Sequence, residues 1–315
     1  YEAWPWLLSN IAQADTRFQP EYMLVLAGQS TSNDAFDEPE SGGFCLGTEI
    51  YFMKAYESMA NIGALLCYDP EAVSHWRCRA ENMRNTIKQM YWNNSFDYFT
   101  AGPKGSESYK KGYWETSGAE VAVWNKFGIA DAFQRRSVLS RMKSVAMTDY
   151  GIQLFPYKEK DNHFCGSVWP VWEAGFAAAA SAEGDSDLVH QLIGQQVRTC
   201  IMNKTFYEVI DADTGISWRW PGQLWHAAGF VSLLLYGLFG ISYTKEGLRF
   251  SPAVSRDLAN SRLSDLHYGY ASLDVEIHGY GTSGQTLLDG KPCDIIPRGI
   301  EGKHKIILKM QKTIM

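Results

Sequence analysis

The chain has 315 residues, 45% of them hydrophobic and 20% charged, with a formal charge of -6. That is the composition of one large globular domain or two modest ones. The acidic balance excludes nucleic acid as the main partner, because phosphate binding needs a basic surface, and no run of about 18 apolar residues offers a membrane-crossing helix.

The opening YEAWPWLLSNIAQAD already reads as a helix. With no initiator methionine and no leader before it, the chain is expected to start inside a larger protein, completed by an N-terminal segment or a partner chain. The compartment stays unknown, with a periplasmic or secreted setting favoured over the cytoplasm. From Thr48 to Leu66, Phe52, Met53, Tyr56, Met59, Ala60 and Gly63 recur at helical spacing. Asp69, Pro70 and Glu71 supply a cap, a first position and a first-turn acid for a helix running to about Trp92. Further helices are predicted near 115–127, 130–146, 167–183, 185–202 and 220–238, with SAEGDSD at 181–187 as a tight connection.

Short connections (67–70, 127–130, 183–186) alternate with long ones (18–46, 93–113, 147–166, 203–219). Antiparallel helix hairpins would gather the long loops at one end, and loops of that length in a compact domain are usually functional. The pattern predicts a mainly α helical toroid with one active face. After Gly240, the alternating runs GLRFSPAV, ASLDVEIHGYG, SGQTLLDGK and KHKIILKM predict an antiparallel β module. The expected domains are therefore residues 1–240, helical, and 241–315, strands.

The candidate chemistry is carboxylate chemistry. The six cysteines form no CxxC pair and no zinc-like cluster, so no metal and no cofactor is expected. GxSxG, a strand-borne GxGxxG and the P-loop are all missing. Eleven Trp and seventeen Tyr make an aromatic load suited to stacking on sugar faces. Glu208 lies in FYEVIDADTG, Asp34, Asp37 and Glu38 cluster in the 18–46 connection, and Glu115 follows Trp114 in GYWETSG. Glu115 reads either as a helix-start residue favoured by the dipole or as a sugar-hydroxyl acceptor or rival acid. Trp114, Trp169, Trp218, Trp220 and Gln223 are candidate sugar contacts. Trp172 and Glu173 read as packing and a buried hydrogen bond, and His226 as a satisfied core histidine.

The order helix, FYEVIDADTG, ISWRWPGQLWHAAGFVSLLLYGLFGI, then a β module opening GLRFSPAV resembles the six-hairpin glycoside hydrolases of the trehalase, processing α-glucosidase and α-L-rhamnosidase type. Glu208, Asp211, Thr214 and Gly215 match that group's base motif, while Val209-Ile210 depart from the aromatic often found there. The resemblance implies an (α/α)6 barrel, a C-terminal β-sandwich and Glu208 as general base. Counted backward from 220–238 as helix twelve, the 18–46 connection joins helices five and six, which carries the general acid in those families. Asp34 is favoured for that role and Asp37 is next, with Glu38 also a candidate. The count also implies that about four helices and an N-terminal β domain lie outside this chain, an inference from fold analogy.

The expected activity is that of an inverting, exo-acting glycosidase acting on an oligosaccharide or glycoside, with water as second substrate. The rivals are a polysaccharide lyase using Tyr157 and His163, a phosphorylase, and a non-catalytic sugar-binding or scaffold protein. A phosphorylase would need a phosphate pocket, and the sequence offers no basic cluster near Glu208 beyond Arg219.

Overall fold

Several helix starts in this chain are capped by short polar side chains. A computed structural model describes residues 2–26, 43–156 and 165–311. Asp69 accepts from the Glu71 N–H, Asp131 and Gln134 form a reciprocal capping box, and Asp185 accepts from the Leu188 N–H. Each satisfies a backbone donor that the first turn leaves orphaned, worth about 1 kcal/mol. The chain packs as two units. One holds Tyr1–Ala146 and Leu154–Cys165, the other Met147–Gln153 and Gly166–Met315.

In the first unit, α1 (Trp4–Arg17) leads into a strand pair, β1 (Phe18–Gln19) and β2 (Leu24–Val25). Then come α2 (Leu46–Leu65), α3 (Pro70–Met90), the pair β3 (Trp92–Asn93) and β4 (Tyr98–Phe99), α4 (Glu107–Lys111), α5 (Thr116–Val123) and α6 (Ala132–Val145). α2 packs along α3, and the pair buries Met53, Tyr56 and Met59 with Val73, Trp76 and Met83. Full burial of each such side chain stabilises by about 1.5–3 kcal/mol. Asp15 ties α1 to both: it accepts from Tyr56 Oη at 2.8 Å and pairs with Arg79. Every residue of α5 is buried, as are Leu46–Ile50 at the start of α2, so these segments run inside the unit while α3 and α6 bury one stripe.

The second unit opens with β5 (Met147–Thr148), β6 (Gly151–Ile152) and β7 (Ser167–Val168), followed by a 3-10 turn at Pro170–Glu173, α7 (Ala174–Ala182) and α8 (Ser186–Asn203). β8 (Tyr207–Asp211) and β9 (Ser217–Pro221) form a hairpin beside β7, in the order β7-β8-β9. α9 (Leu224–Ser232) continues as one widened turn over Leu233–Leu238.

The strands that follow fall into two sheets. β10 (Ile241–Tyr243), β11 (Gly247–Phe250) and β17 (Ile296–Pro297) make one of them. β12 (Ala253–Val254), β13 (Arg262–Tyr268), β14 (Tyr270–His278), β15 (Gly281–Leu288), β16 (Lys291–Pro292) and β18 (Glu301–Gln311) make the other, in the order β12-β15-β18-β14-β13 with β16 on β15. Ala271, Leu273, Val275 and Ile277 alternate inward on β14, as a half-buried strand requires. Ser181 of α7 joins helix to sheet, donating to the Ser251 carbonyl and accepting from the Ala253 N–H.

The structure bears out helices followed by a strand-rich C-terminal region, and corrects several details. β14 and β18 pair in parallel, from Tyr270↔Glu301 to His278↔Lys309, so the module is mixed. The intervening strands β15 to β17 return the chain, as a parallel pair demands a crossover connection. The 203–219 connection is a hairpin, not a loop. The helix expected from 167 begins at 174, after a strand and a 3-10 turn, and the helix expected from 220 begins at 224, because Pro221 and Gly222 end β9. The 93–113 connection holds β4 and α4, capped by Ser106 on the Tyr109 N–H.

Candidate active site

The DADTG turn between β8 and β9 is built by its own polar side chains. Asp211 Oδ1 accepts from the N–H groups of Asp213 and Thr214 and from Thr214 Oγ1. Gly215 takes a positive φ of 70°, and a Cβ there would lie 2.3 Å from the Tyr150 ring. Asn203, at the end of α8, donates to the Gly215 carbonyl and accepts from both the N–H and Oγ of Ser217. Three of the four motif residues therefore hold the hairpin, and Glu208 is left as the member with no part in its turn.

Glu208 is fastened through its backbone. Its carbonyl accepts from His226 Nε2 at 2.8 Å, while His226 Nδ1 accepts from the Val171 N–H at 3.0 Å. A backbone N–H can only donate, so Nδ1 is bare and His226 is the neutral Nε2–H tautomer. Burial pushes its pKa down to about 4, so the ring stays neutral at ordinary pH. The Glu208 side chain is 21% exposed, but its Oε2 is buried and has no hydrogen-bond partner among the described residues. Arg219 Nε stands 3.7 Å from that oxygen. On β9, Trp218 and Trp220 are 49% and 61% exposed. The β8–β9 register slips beside Trp218, and Trp220 holds a φ of 35°, rare for an aromatic residue. Gln223 is half-buried at the start of α9, and its N–H donates to the Phe206 carbonyl.

Behind this hairpin sits an aromatic box. Trp169 stacks on Trp172 at 5.2 Å and meets Trp225 edge-on. Trp169 is 4% exposed and its indole N–H donates to Ser167 Oγ. Glu173 is buried as expected: Oε1 accepts from the Ile152 N–H and Oε2 from Gln196 Nε2. Burial raises its carboxyl to about 7, against the pull of those two bonds.

The other predicted residues lie in the first unit or outside the described residues. Glu115 is the N-cap of α5. Its oxygens accept from the N–H and Oγ of Ser117 and from the Gly118 N–H. Burial nonetheless raises its pKa to about 7. Trp114 is buried, with its indole N–H on Thr116 Oγ1. Asp34, Asp37 and Glu38, and the Tyr157 and His163 of the lyase alternative, lie outside the described residues.

Two buried carboxylates escaped the sequence reading. Glu49, in LGTEIYF, accepts from the Val25 N–H through Oε2, while Oε1 has no hydrogen-bond partner among the described residues; burial lifts its pKa well above the usual range. Glu120, in SGAEVAVW, is likewise buried. A lone charge inside an apolar run was the signal for both. Among the described residues no three His, Cys, Asp or Glu side chains converge as a metal site, and no helix is long and apolar enough to cross a membrane.

A family model for the mannosylglycerate hydrolase MGH1-like glycoside hydrolase domain matches residues 3–226, more than half of the chain. The chain belongs to that family. The match takes in the hairpin, Glu208 and His226, so this region is part of a glycoside hydrolase domain. Among solved structures, the domain shares its fold with an uncharacterized conserved protein from Thermus thermophilus, at TM-score 0.55 and 14% identity, over 74% of this chain and 70% of that one. It also aligns with the GH63 mannosylglycerate hydrolase of Thermus thermophilus in complex with glucose, at TM-score 0.47 and 14% identity over 61% of this chain. A third match is the neutral trehalase of Saccharomyces cerevisiae, at 0.46 and 13% over 60% of this chain. This glycoside hydrolase chain spans 48% of the length of that mannosylglycerate hydrolase and 37% of that trehalase. No curated protein matches its sequence.

Proposed function

We propose that this protein hydrolyses a glycosidic bond by inversion, acting on a terminal sugar, with Glu208 as general base. The acid is Asp34, or Asp37 or Glu38 of the same acidic connection. In the reaction the acid protonates the leaving oxygen as the C–O bond breaks. Glu208 takes a proton from the water whose oxygen bonds the anomeric carbon on the opposite face. Such a pair works with its carboxyl groups about 6.5–9.5 Å apart, leaving room for that water. The substrate is a glycoside whose end sugar stacks on Trp218 and Trp220 and hydrogen-bonds Gln223. Trp169 serves that surface by packing behind it, and Trp114 and Glu115 serve the fold of the first unit. Residues 1–240 form the catalytic domain, the later part of a six-hairpin barrel, and 241–315 a supporting module.

One observation carries the reading. Glu208 is pinned at its backbone yet keeps a carboxylate oxygen without a hydrogen bond, beside exposed tryptophans. Glu115 and Glu173 differ, their oxygens being held by hydrogen bonds. Glu49, whose Oε1 is also without a hydrogen bond among the described residues, differs in being fully buried where the Glu208 side chain is 21% exposed.

The test is Glu208→Gln on aryl glycosides, with NMR detection of the first-formed anomer. Loss of hydrolysis on both poor and activated leaving groups, and inversion by the wild type, are expected. Asp34→Asn, Asp37→Asn and Glu38→Gln follow, and the acid is the one whose loss is rescued by an activated leaving group. Retention of configuration, or full activity in Glu208→Gln, rejects the scheme.

A further inference from the structure

We propose that His226 is the positioning residue of Glu208, an inference that rests on Glu208 being the base. β7 pairs with β8 only through Ser167↔Asp211 and Val168↔Ile210. Beyond Val168 the chain leaves for the Pro170–Glu173 turn, so the ladder stops two residues short of Glu208. On the other side, Tyr207 faces Pro221, which has no N–H, and the β8–β9 register slips between Val209 and Ile210. The strand segment bearing the base is thus the least regularly laddered part of the hairpin.

The imidazole fills that gap. It stands between the Val171 N–H and the Glu208 carbonyl, completing with two side-chain bonds what a third strand residue would otherwise supply. Its supports are rigid. Gln196 donates to both the Pro170 carbonyl and Glu173 Oε2, and Glu173 Oε1 holds the Ile152 N–H, so α8 and β6 clamp the turn that presents Val171. Gly229, one turn beyond His226 on α9, lets the helix approach: a Cβ there would lie 2.8 Å from Val171 Cα. Trp169 and Trp225 flank the ring, and His226 is 0% exposed. Such enclosure leaves the ring one orientation and its Nε2–H one target. A carbonyl held there sets the direction in which the Glu208 side chain leaves the strand, and a base misplaced by about 1 Å loses on the order of 100-fold in rate.

His226→Asn and His226→Gln separate positioning from packing. The Asn amide oxygen replaces Nδ1 and leaves the Glu208 carbonyl unmet, while the Gln amide nitrogen replaces Nε2 and keeps that donor. Both variants are expected to melt earlier. In Asn, kcat on an aryl glycoside that the wild type hydrolyses should fall about 10–100-fold with KM little changed, and Gln should restore most of it. Equal losses in Asn and Gln that track their melting temperatures, or a wild-type kcat in Asn, overturn the proposal. Glu208→Gln is run beside them. If it is inactive while His226→Asn is not, only the positioning role fails; if it is fully active, the base assignment falls and takes the proposal with it. Ring 15N NMR adds an arm independent of turnover: Nε2 protonated and Nδ1 bare supports the proposal, and the opposite tautomer overturns it.

Discussion

Two glutamates near tryptophans, Glu208 on β8 and Glu115 at the start of α5, look alike in sequence and differ in what their oxygens do. Glu115 accepts three hydrogen bonds from Ser117 and Gly118, so its carboxylate is part of the helix end. Glu208 has the reverse arrangement: the backbone is tied by His226 and Oε2 is left without a hydrogen bond. A carboxylate whose acceptors are engaged locally holds structure; Glu208 differs in that its backbone is held while Oε2, itself buried, faces Arg219 Nε at 3.7 Å without a hydrogen bond among the described residues. Glu173 belongs with Glu115 by this measure.

The comparison breaks first at Glu208→Gln. Its kcat is expected to drop by about 1,000-fold, within the range for loss of a general base, with a melting temperature close to wild type. A large drop in melting temperature would put Glu208 in the same structural class as Glu115. Glu115→Ala should do the opposite. Removing the cap strands the buried N–H groups of Ser117 and Gly118, at about 2–4 kcal/mol of unfolding free energy in urea. Folded protein should retain its turnover; a stable but inactive Glu115→Ala would move Glu115 to the substrate.

Titration sharpens the contrast further. Glu115 and Glu173 have carboxyls raised from 4.5 to about 7, so the fold retains protons there that the unfolded chain has released. Their contribution is fully present below about 4.5, fades as pH rises toward 7 and is flat beyond it. The stability of Glu115→Gln relative to wild type should therefore rise by about 1–3 kcal/mol over that interval. His226 runs the other way: lowered from 6.5 to about 4, it costs stability as pH falls through that window. The smallest effect is expected at Trp220→Ala, with KM raised several-fold, about 1 kcal/mol of stacking, and stability nearly unchanged because the ring is 61% exposed. Trp169→Ala, buried at 4%, should instead destabilise.

Much of this was legible beforehand where the cause is local. Asp69-Pro70 and Asp185 announced their helices because a cap acts on N–H groups two or three residues away. Asp211, Thr214 and Gly215 entered only as a family motif, although the turn they build is equally local. The hairpin itself was missed, since Tyr207–Asp211 and Ser217–Pro221 are short and neither shows clean alternation. The parallel pairing of β14 with β18 was hidden because alternation reports burial and carries no strand direction.

The site divides in the same way. Sequence by itself determined the helical periodicity, the strand-rich end, the family motif and the carboxylate worth watching, all of which depend on neighbours along the chain. Only the tertiary structure decided that His226 holds the Glu208 carbonyl, that Arg219 faces its carboxylate, and that Trp169 is buried while Trp218 and Trp220 are not. Those outcomes depend on groups 11 to 55 positions apart meeting in space, and contacts across such separations are set by packing, which no local pattern encodes.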